Sequence, residues 1–345
     1  MKIMKKILKI AGILLALILI VPVGLGLTLK GLSPEIPMPG KLFDVGGHKL
    51  HIHCTGPDND LPPVIVEAGL GGPTSLYHWV QKNLSTTGKV CTYDRAGLGY
   101  SEESGVAHDA ENMTTQLHVL LEKAGIRKPF VLAGHSLAGL IMRTYVGKYP
   151  EDVVGVAFLD ASHPNQNEVL KFGDDGSTGK MEELYGWFKL LNNLGLTKIY
   201  NPVTAMVEGY LPDEVIAQME FTTGNVYYDA SVAEMGGFDA SAEQASQAGD
   251  LADRPVVVIT AGKLLEKEYL PDHIDPVELR AAWIGLNKDL ANLSSKGRQV
   301  VINEADHMSL LYDKKLADQA SDLIREIVEQ SAHNMMKAEG AVKGN

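Results

Sequence analysis

Phe130-Val131-Leu132-Ala133-Gly134-His135-Ser136-Leu137-Ala138-Gly139 is the stretch on which the reading of this chain turns. Its apolar residues read as a buried strand that stops at Gly134, and an apolar-periodic helix begins just past Ser136. Small residues flank the serine at −2, +2 and +3, as a sharp strand-to-helix turn requires. Larger side chains there would collide with the crossing segment, and the serine must accept a strained backbone. Its hydroxyl then stands at a helix N-terminus, whose free N–H groups favour developing negative charge. Short motifs match by chance, so the strand before and the helix after give this one its meaning.

Upstream, residues 42–45 and 49–54 read as a hairpin about Gly46-Gly47, and 63–68 and 90–93 as strands. The strand at 63–68 runs into Gly69-Leu70-Gly71-Gly72-Pro73. Met113, Leu117, Leu120, Leu121 and Ala124 mark a helix by their three-and-four spacing. Downstream, 153–159 is another strand, ending at Asp160-Ala161-Ser162-His163-Pro164. Strands alternating with helices predict a doubly wound, mostly parallel α/β sheet. From 165 to 253 the rhythm breaks into helical patches at 181–194 and 212–222. They predict a helical cap over the carboxyl ends of the strands, where sites of open α/β sheets lie. Strands at 255–260 and 299–303, a helix at 277–293 and a closing amphipathic helix about Leu316 to Val328 complete the core. The core thus takes 41–164 and 254–330, and 331–345 is expected to be a flexible tail.

The net charge is −12, but the first 30 residues hold five lysines and no acid, leaving 26 basic against 43 acidic groups beyond them. Nucleic acid is excluded as a partner for so acidic a body. Lys2, Lys5, Lys6 and Lys9 precede an uncharged apolar run from Ile10 to Leu29, long enough to span a bilayer as a helix. The expectation is an N-terminal transmembrane signal anchor over 1–30 and a proline-rich linker over 31–40. The chain would cross the cell membrane once, with its catalytic domain on the extracytoplasmic side. A cleaved signal peptide is the rival, and it leaves the compartment unchanged. Cys54 and Cys91 both fall in strand segments, and either a bridge or two buried thiols fits that placement.

A serine hydroxyl is a weak nucleophile unless a base lies within hydrogen-bond reach and a carboxylate orients that base. His307, directly after the last strand, stands at the same sheet edge as Ser136. The chain from Gly40 to Gln330 resembles the α/β-hydrolase superfamily, in particular its capped, esterase-like serine members. The resemblance is carried by Glu67-Ala68-Gly69-Leu70-Gly71, by Tyr93-Asp94-Arg95-Ala96-Gly97-Leu98-Gly99-Tyr100-Ser101, by Gly134-His135-Ser136-Leu137-Ala138-Gly139, by Leu159-Asp160 and by Asp306-His307. It implies an eight-stranded sheet, with Ser136 as nucleophile and His307 as base and then acid. It also implies an oxyanion hole from the Leu70 and Leu137 N–H groups.

The acid departs from the family's frequent pattern. The strand at 255–260 is followed by Ala261-Gly262-Lys263-Leu264-Leu265, with Asp272 and Asp275 farther on. Some members instead place the acid after the preceding strand, which points to Asp160. Asp306 replaces a frequent glycine and puts a second negative charge beside the histidine. The expected activity is hydrolysis of an apolar, small-molecule carboxylic ester through an acyl-enzyme, without metal or organic cofactor. Aminopeptidase-like or lactonase-like chemistry and a non-catalytic ligand-binding homologue are the alternatives. Epoxide hydrolysis or dehalogenation on this fold would need an aspartate where Ser136 stands.

Overall fold

Runs of β-branched residues that are apolar on both faces can be satisfied only by burial on both faces, and they become the centre of the sheet. The computed structural model describes residues 2–171, 177–270 and 274–343. The strands are β1 (Lys41–Asp44), β2 (Lys49–Thr55), β3 (Val64–Glu67), β4 (Val90–Asp94), β5 (Phe130–His135), β6 (Val153–Leu159), β7 (Ala252–Ala261) and β8 (Ser294–Ile302). They form one eight-stranded sheet in the order β1-β2-β4-β3-β5-β6-β7-β8. Pairing is antiparallel for β1 with β2 and β2 with β4, and parallel from there on. β7 and β8 start earlier than apolar runs alone suggest, because pairing extends back to Ala252 opposite Ser294.

The helices in chain order are α1 (Lys2–Gly31), α2 (His78–Leu84), α3 (Ala110–Lys123), α4 (Ala138–Lys148), α5 (Gln166–Leu170), α6 (Ser177–Asn193) and α7 (Pro202–Ala205). Then come α8 (Asp213–Thr222), α9 (Asn225–Gly236), α10 (Phe238–Ser246), α11 (Pro276–Asn292), α12 (Ser309–Tyr312) and α13 (Lys314–Lys343). The two-residue period of the strands sorts the core into two layers. Val131, Ala133, Ala157, Leu159, Val257 and Ile259 pack with Val80 and Leu84 of α2 and Ile324 and Ile327 of α13. Their strand neighbours Phe130, Leu132, Val156, Phe158, Val256 and Val258 pack with Leu117, Leu120 and Leu121 of α3 and Met142 and Tyr145 of α4. Helices α5 to α10 lie between β6 and β7 in sequence, and no strand interrupts them among the described residues.

One expectation changes and one open alternative is resolved. The tail expected after Gln330 is helical, since α13 runs on to Lys343. Ser331 is buried and its Oγ donates to the Val154 carbonyl at 3.0 Å, which ties the extended helix to the sheet. Cys54 and Cys91 face each other across β2 and β4 and are joined in a disulfide.

At the N-terminus, α1 ends against the cap, where Lys30 Nζ donates to the Asn192 carbonyl at 3.0 Å. Gly26 passes so close to Gly195 that a Cβ on it would lie 2.4 Å from the Gly195 oxygen. Among the described residues no helix is long and apolar enough to cross a membrane. The side chains of 11–16 and 19, inside the span expected at Ile10–Leu29, lie outside that description.

Candidate active site

β5 delivers Ser136 through a backbone that only close packing can hold. Ser136 has φ +55°, in the left-handed region that side-chain-bearing residues avoid. Its carbonyl accepts from Ser162 N–H at 2.7 Å and its own N–H donates to the Leu159 carbonyl, so the turn is tied to the end of β6. The neighbouring small residues have a measurable reason. A Cβ on Gly134 would lie 2.5 Å from the Ala138 Cβ, and one on Gly139 would lie 2.4 Å from the Ser162 oxygen.

Asp160, directly after β6, also has positive φ, +42°. Its side chain is buried, and both oxygens are met. Oδ2 accepts from His307 Nδ1 at 2.6 Å. Oδ1 accepts from the Ala261 N–H at 2.8 Å and from Trp283 Nε1 at 2.7 Å. Burial pushes the Asp160 pKa up, but these hydrogen bonds and the His307 imidazole outweigh it and hold the carboxyl below the usual range. With Nδ1 committed to a carboxylate that can only accept, the proton of neutral His307 sits on Nδ1 and Nε2 is the basic nitrogen.

His135 supports the same imidazole from the other side. It is buried, its Nε2 donates to the His307 carbonyl at 2.8 Å, and its ring lies 4.3 Å from that of His307. Burial first and the His307 charge second lower its pKa to about 3, so it stays a neutral donor at physiological pH. Asp306 is turned to Lys263 Nζ at 3.3 Å and to the Ser309 N–H at 2.9 Å, which spends its charge on partners other than the imidazole.

The glycine-rich turn after β3 is fixed almost atom by atom. Gly69 N–H donates to Tyr77 Oη at 2.7 Å, and Gly71 N–H donates to Glu234 Oε2 at 2.8 Å. Arg95 Nη1 donates to Glu67 Oε1 and the Ala68 carbonyl, and Nη2 to the Gly69 carbonyl, each at 2.7 Å. Arg95 Nε meets Glu234 Oε1 at 2.6 Å. Between these ties the Leu70 N–H donates no hydrogen bond among the described residues, and neither does the N–H of Leu137. Two backbone donors on rigid turns are what a developing oxyanion needs.

Ser136, Asp160 and His307 all line one cavity of about 320 Å³, with Leu170, Leu279 and Trp283 among its apolar walls. Asp275 is elsewhere employed: its Oδ1 caps α11 by accepting from the N–H groups of Val277 and Glu278. Asp272 lies outside the described residues. Among the described residues no group of three or more His, Cys, Asp or Glu could hold a metal ion. Sequence patterns gave no notice of Trp283 or Glu234. Trp283 lies on one helical face with Pro276, Leu279 and Arg280, a spacing that signals a buried face but not a carboxylate partner. Glu234 is an acid embedded in the cap, fully buried, and only its three-dimensional partner Arg95 explains it.

Residues 62–195 match a family model described as the alpha/beta hydrolase fold. The Bacillus subtilis (strain 168) protein YbdG is 27% identical over 224 residues, 62% of this chain and 67% of YbdG. Of three further curated relatives the chain spans 18%, 57% and 62% of the length, so its match to them is partial. Two solved structures share the fold. A thermophilic esterase from Thermogutta terrifontis has a TM-score of 0.55 at 17% identity, covering 86% of this chain and 100% of its own. The Cif epoxide hydrolase from Acinetobacter nosocomialis has a TM-score of 0.61 at 14% identity, covering 87% and 94%. At such identities the likeness establishes architecture and leaves chemistry to the residues.

Two outcomes follow from this geometry. Asp160 has a depressed pKa, so its carboxylate contributes stability above its unfolded-state value of about 3.9 and loses it as pH falls through the lower folded value. Asp160→Asn is expected to be about 1–3 kcal/mol less stable than the parent at pH 6, with the gap narrowing below about pH 4 in urea unfolding. Glu234→Ala leaves buried Arg95 with one carboxylate instead of two, and is expected to cost about 3–5 kcal/mol in the same assay.

Proposed function

We propose that this chain, whose residues 62–195 match the alpha/beta hydrolase fold, is a hydrolase that cleaves carboxylic esters through a serine acyl-enzyme. The observation that carries the reading is the 2.6 Å hydrogen bond between His307 Nδ1 and Asp160 Oδ2, in a cavity that Ser136 also lines. Ser136 Oγ attacks the ester carbonyl as His307 Nε2 takes its proton. The carbonyl carbon becomes tetrahedral, and its oxygen, now negative, is held by the N–H groups of Leu70 and Leu137. Collapse expels the alcohol, which receives the proton from His307, and leaves an acyl group on Ser136. Water, deprotonated by the same imidazole, then releases the acid and restores the serine. Asp160 keeps the imidazole in the right tautomer and stabilises it while it is charged. A serine at the turn, where epoxide or halide chemistry needs a carboxylate nucleophile, favours acyl transfer.

We place this chemistry outside the cytoplasm, tethered by the N-terminal helix. Support comes from the lysines before the apolar run and from apolar side chains that α1 exposes, among them Ile18, Ile20 and Val21. The Cys54–Cys91 disulfide belongs with an oxidising compartment.

A fluorophosphonate probe is expected to label the purified chain at Ser136 and to leave Ser136→Ala unmodified; a parent protein that stays unlabelled sinks the hydrolase reading. On p-nitrophenyl esters Asp160→Asn is expected to lower kcat by about 10⁴-fold, whereas Asp275→Asn retains near-parent turnover. Near-parent turnover in Asp160→Asn would move the acid elsewhere. Carbonate washing of membranes is expected to leave the full-length chain in the pellet, and its release would remove the anchor.

A further inference from the structure

We infer that the substrate carries an anionic group, a carboxylate or a phosphate, on its leaving-alcohol portion, and that Arg280 binds it. The inference rests on the ester-hydrolase reading and adds a substrate class to it.

The side of the cavity is set by its walls. Ser136, His307, Asp160 and Asp306 line it, while Leu70 and Leu137, the donors assigned to the carbonyl oxygen, do not. The histidine hands its proton to the departing alcohol, so the alcohol portion lies on the histidine side, inside this cavity. One face of α11 supplies the far wall, with Pro276, Leu279, Arg280 and Trp283 at helical spacing. Most of that wall is apolar. Arg280 is the exception.

The charges around it are otherwise settled. Asp160 is bonded to His307, and Asp306 is paired with Lys263 at 3.3 Å. Arg280 has no carboxylate partner among the described residues. Its Nη2 donates to the neutral Asn303 Oδ1 at 2.9 Å, which fixes the guanidinium plane, and its Nε is buried without a hydrogen-bond partner. Buried donors left unpaired are few in folded proteins. A guanidinium on the wall of the cavity with no carboxylate partner among the described residues is suited to a planar carboxylate or a phosphate. The chain as a whole carries net charge −12, which repels anions, so selection for one must come from a local cation such as this.

The test reads protection of Ser136 in the full-length chain from a fluorophosphonate probe. The protectants mimic the leaving alcohol: 4-hydroxybenzoate and 4-hydroxyphenyl phosphate as anions, 4-hydroxybenzamide as the neutral match. The better anion is expected to slow labelling at a concentration about 10-fold lower than the amide does. Whichever anion protects better identifies the group as carboxylate or phosphate. Arg280→Gln is expected to close the gap between anion and amide, and Arg280→Lys, which keeps the charge but not the planar fork, to restore only part of it. Equal protection by anion and amide in the parent, or an undiminished gap in Arg280→Gln, overturns the inference while leaving the hydrolase reading intact. Absence of labelling in the parent without any protectant removes both.

Discussion

A carboxylate only 2% exposed, at the end of a central strand, must be met by donors from every side. The Asp160 side chain is met by three, and each comes from a different part of the chain: Ala261 at the end of β7, Trp283 on α11, and His307 beyond β8. The fold ahead of that point positions Ser136 against Asp160 through bonds from the Ser136 turn to Leu159 and Ser162. The fold after it returns three times to satisfy the same two oxygens. Removing any donor would leave part of a buried charge unanswered, so the order of the last three strands and the placement of α11 are all constrained by one group.

Arg95 plays the corresponding part on the other side of Ser136. It joins a sheet residue (Glu67), a cap residue (Glu234) and the carbonyls of the turn at Ala68 and Gly69. Burial of such a cluster is weak evidence of net stability, since desolvation offsets much of the Coulomb attraction. Its consequence is geometric. The turn cannot rotate without breaking several charge-assisted hydrogen bonds, and so the free Leu70 N–H keeps its direction before any substrate arrives. Glu234 also bonds the Gly71 N–H, which makes the cap a structural partner of the turn as well as its roof.

Much of the architecture was legible because its causes are local. Strand periods, the glycine-rich turns and the small residues about Ser136 each write a steric demand into neighbouring positions. Asp160 was singled out through the family resemblance, in which some members carry an acid after that strand, and not by any local pattern. Other features depend on which distant segments meet. Nothing near Trp283 announces a carboxylate partner 123 positions away, and nothing near Glu234 announces an arginine 139 away. The Cys54–Cys91 pair stayed open at the level of sequence because two cysteines in strands become partners only if those strands pair in that register. The helix beyond Gln330 was missed because exposed polar residues there gave little amphipathic signal, while Ser331 reaches the sheet through a single hydroxyl.

Strain and charge together explain why these features cluster. Ser136 and Asp160 both hold positive φ, a conformation that costs of order 1–3 kcal/mol at each and persists only where the surroundings over-determine it. The surroundings do so here: the Asp160 N–H donates to the Ile259 carbonyl at 2.6 Å, the Ser136 carbonyl accepts from Ser162, and the side chains are fixed by partners already in place. Those two residues are held to one another across the ends of β5 and β6, which pair in parallel from Val131 opposite Gly155 to His135 opposite Leu159. A rigid parallel pair can therefore carry two strained residues side by side without relaxing either. That is the physical reason why Ser136 and the buried carboxylate of Asp160 sit on adjacent strands, whereas His307 comes from a loop beyond β8 and is steadied by His135 from β5 itself.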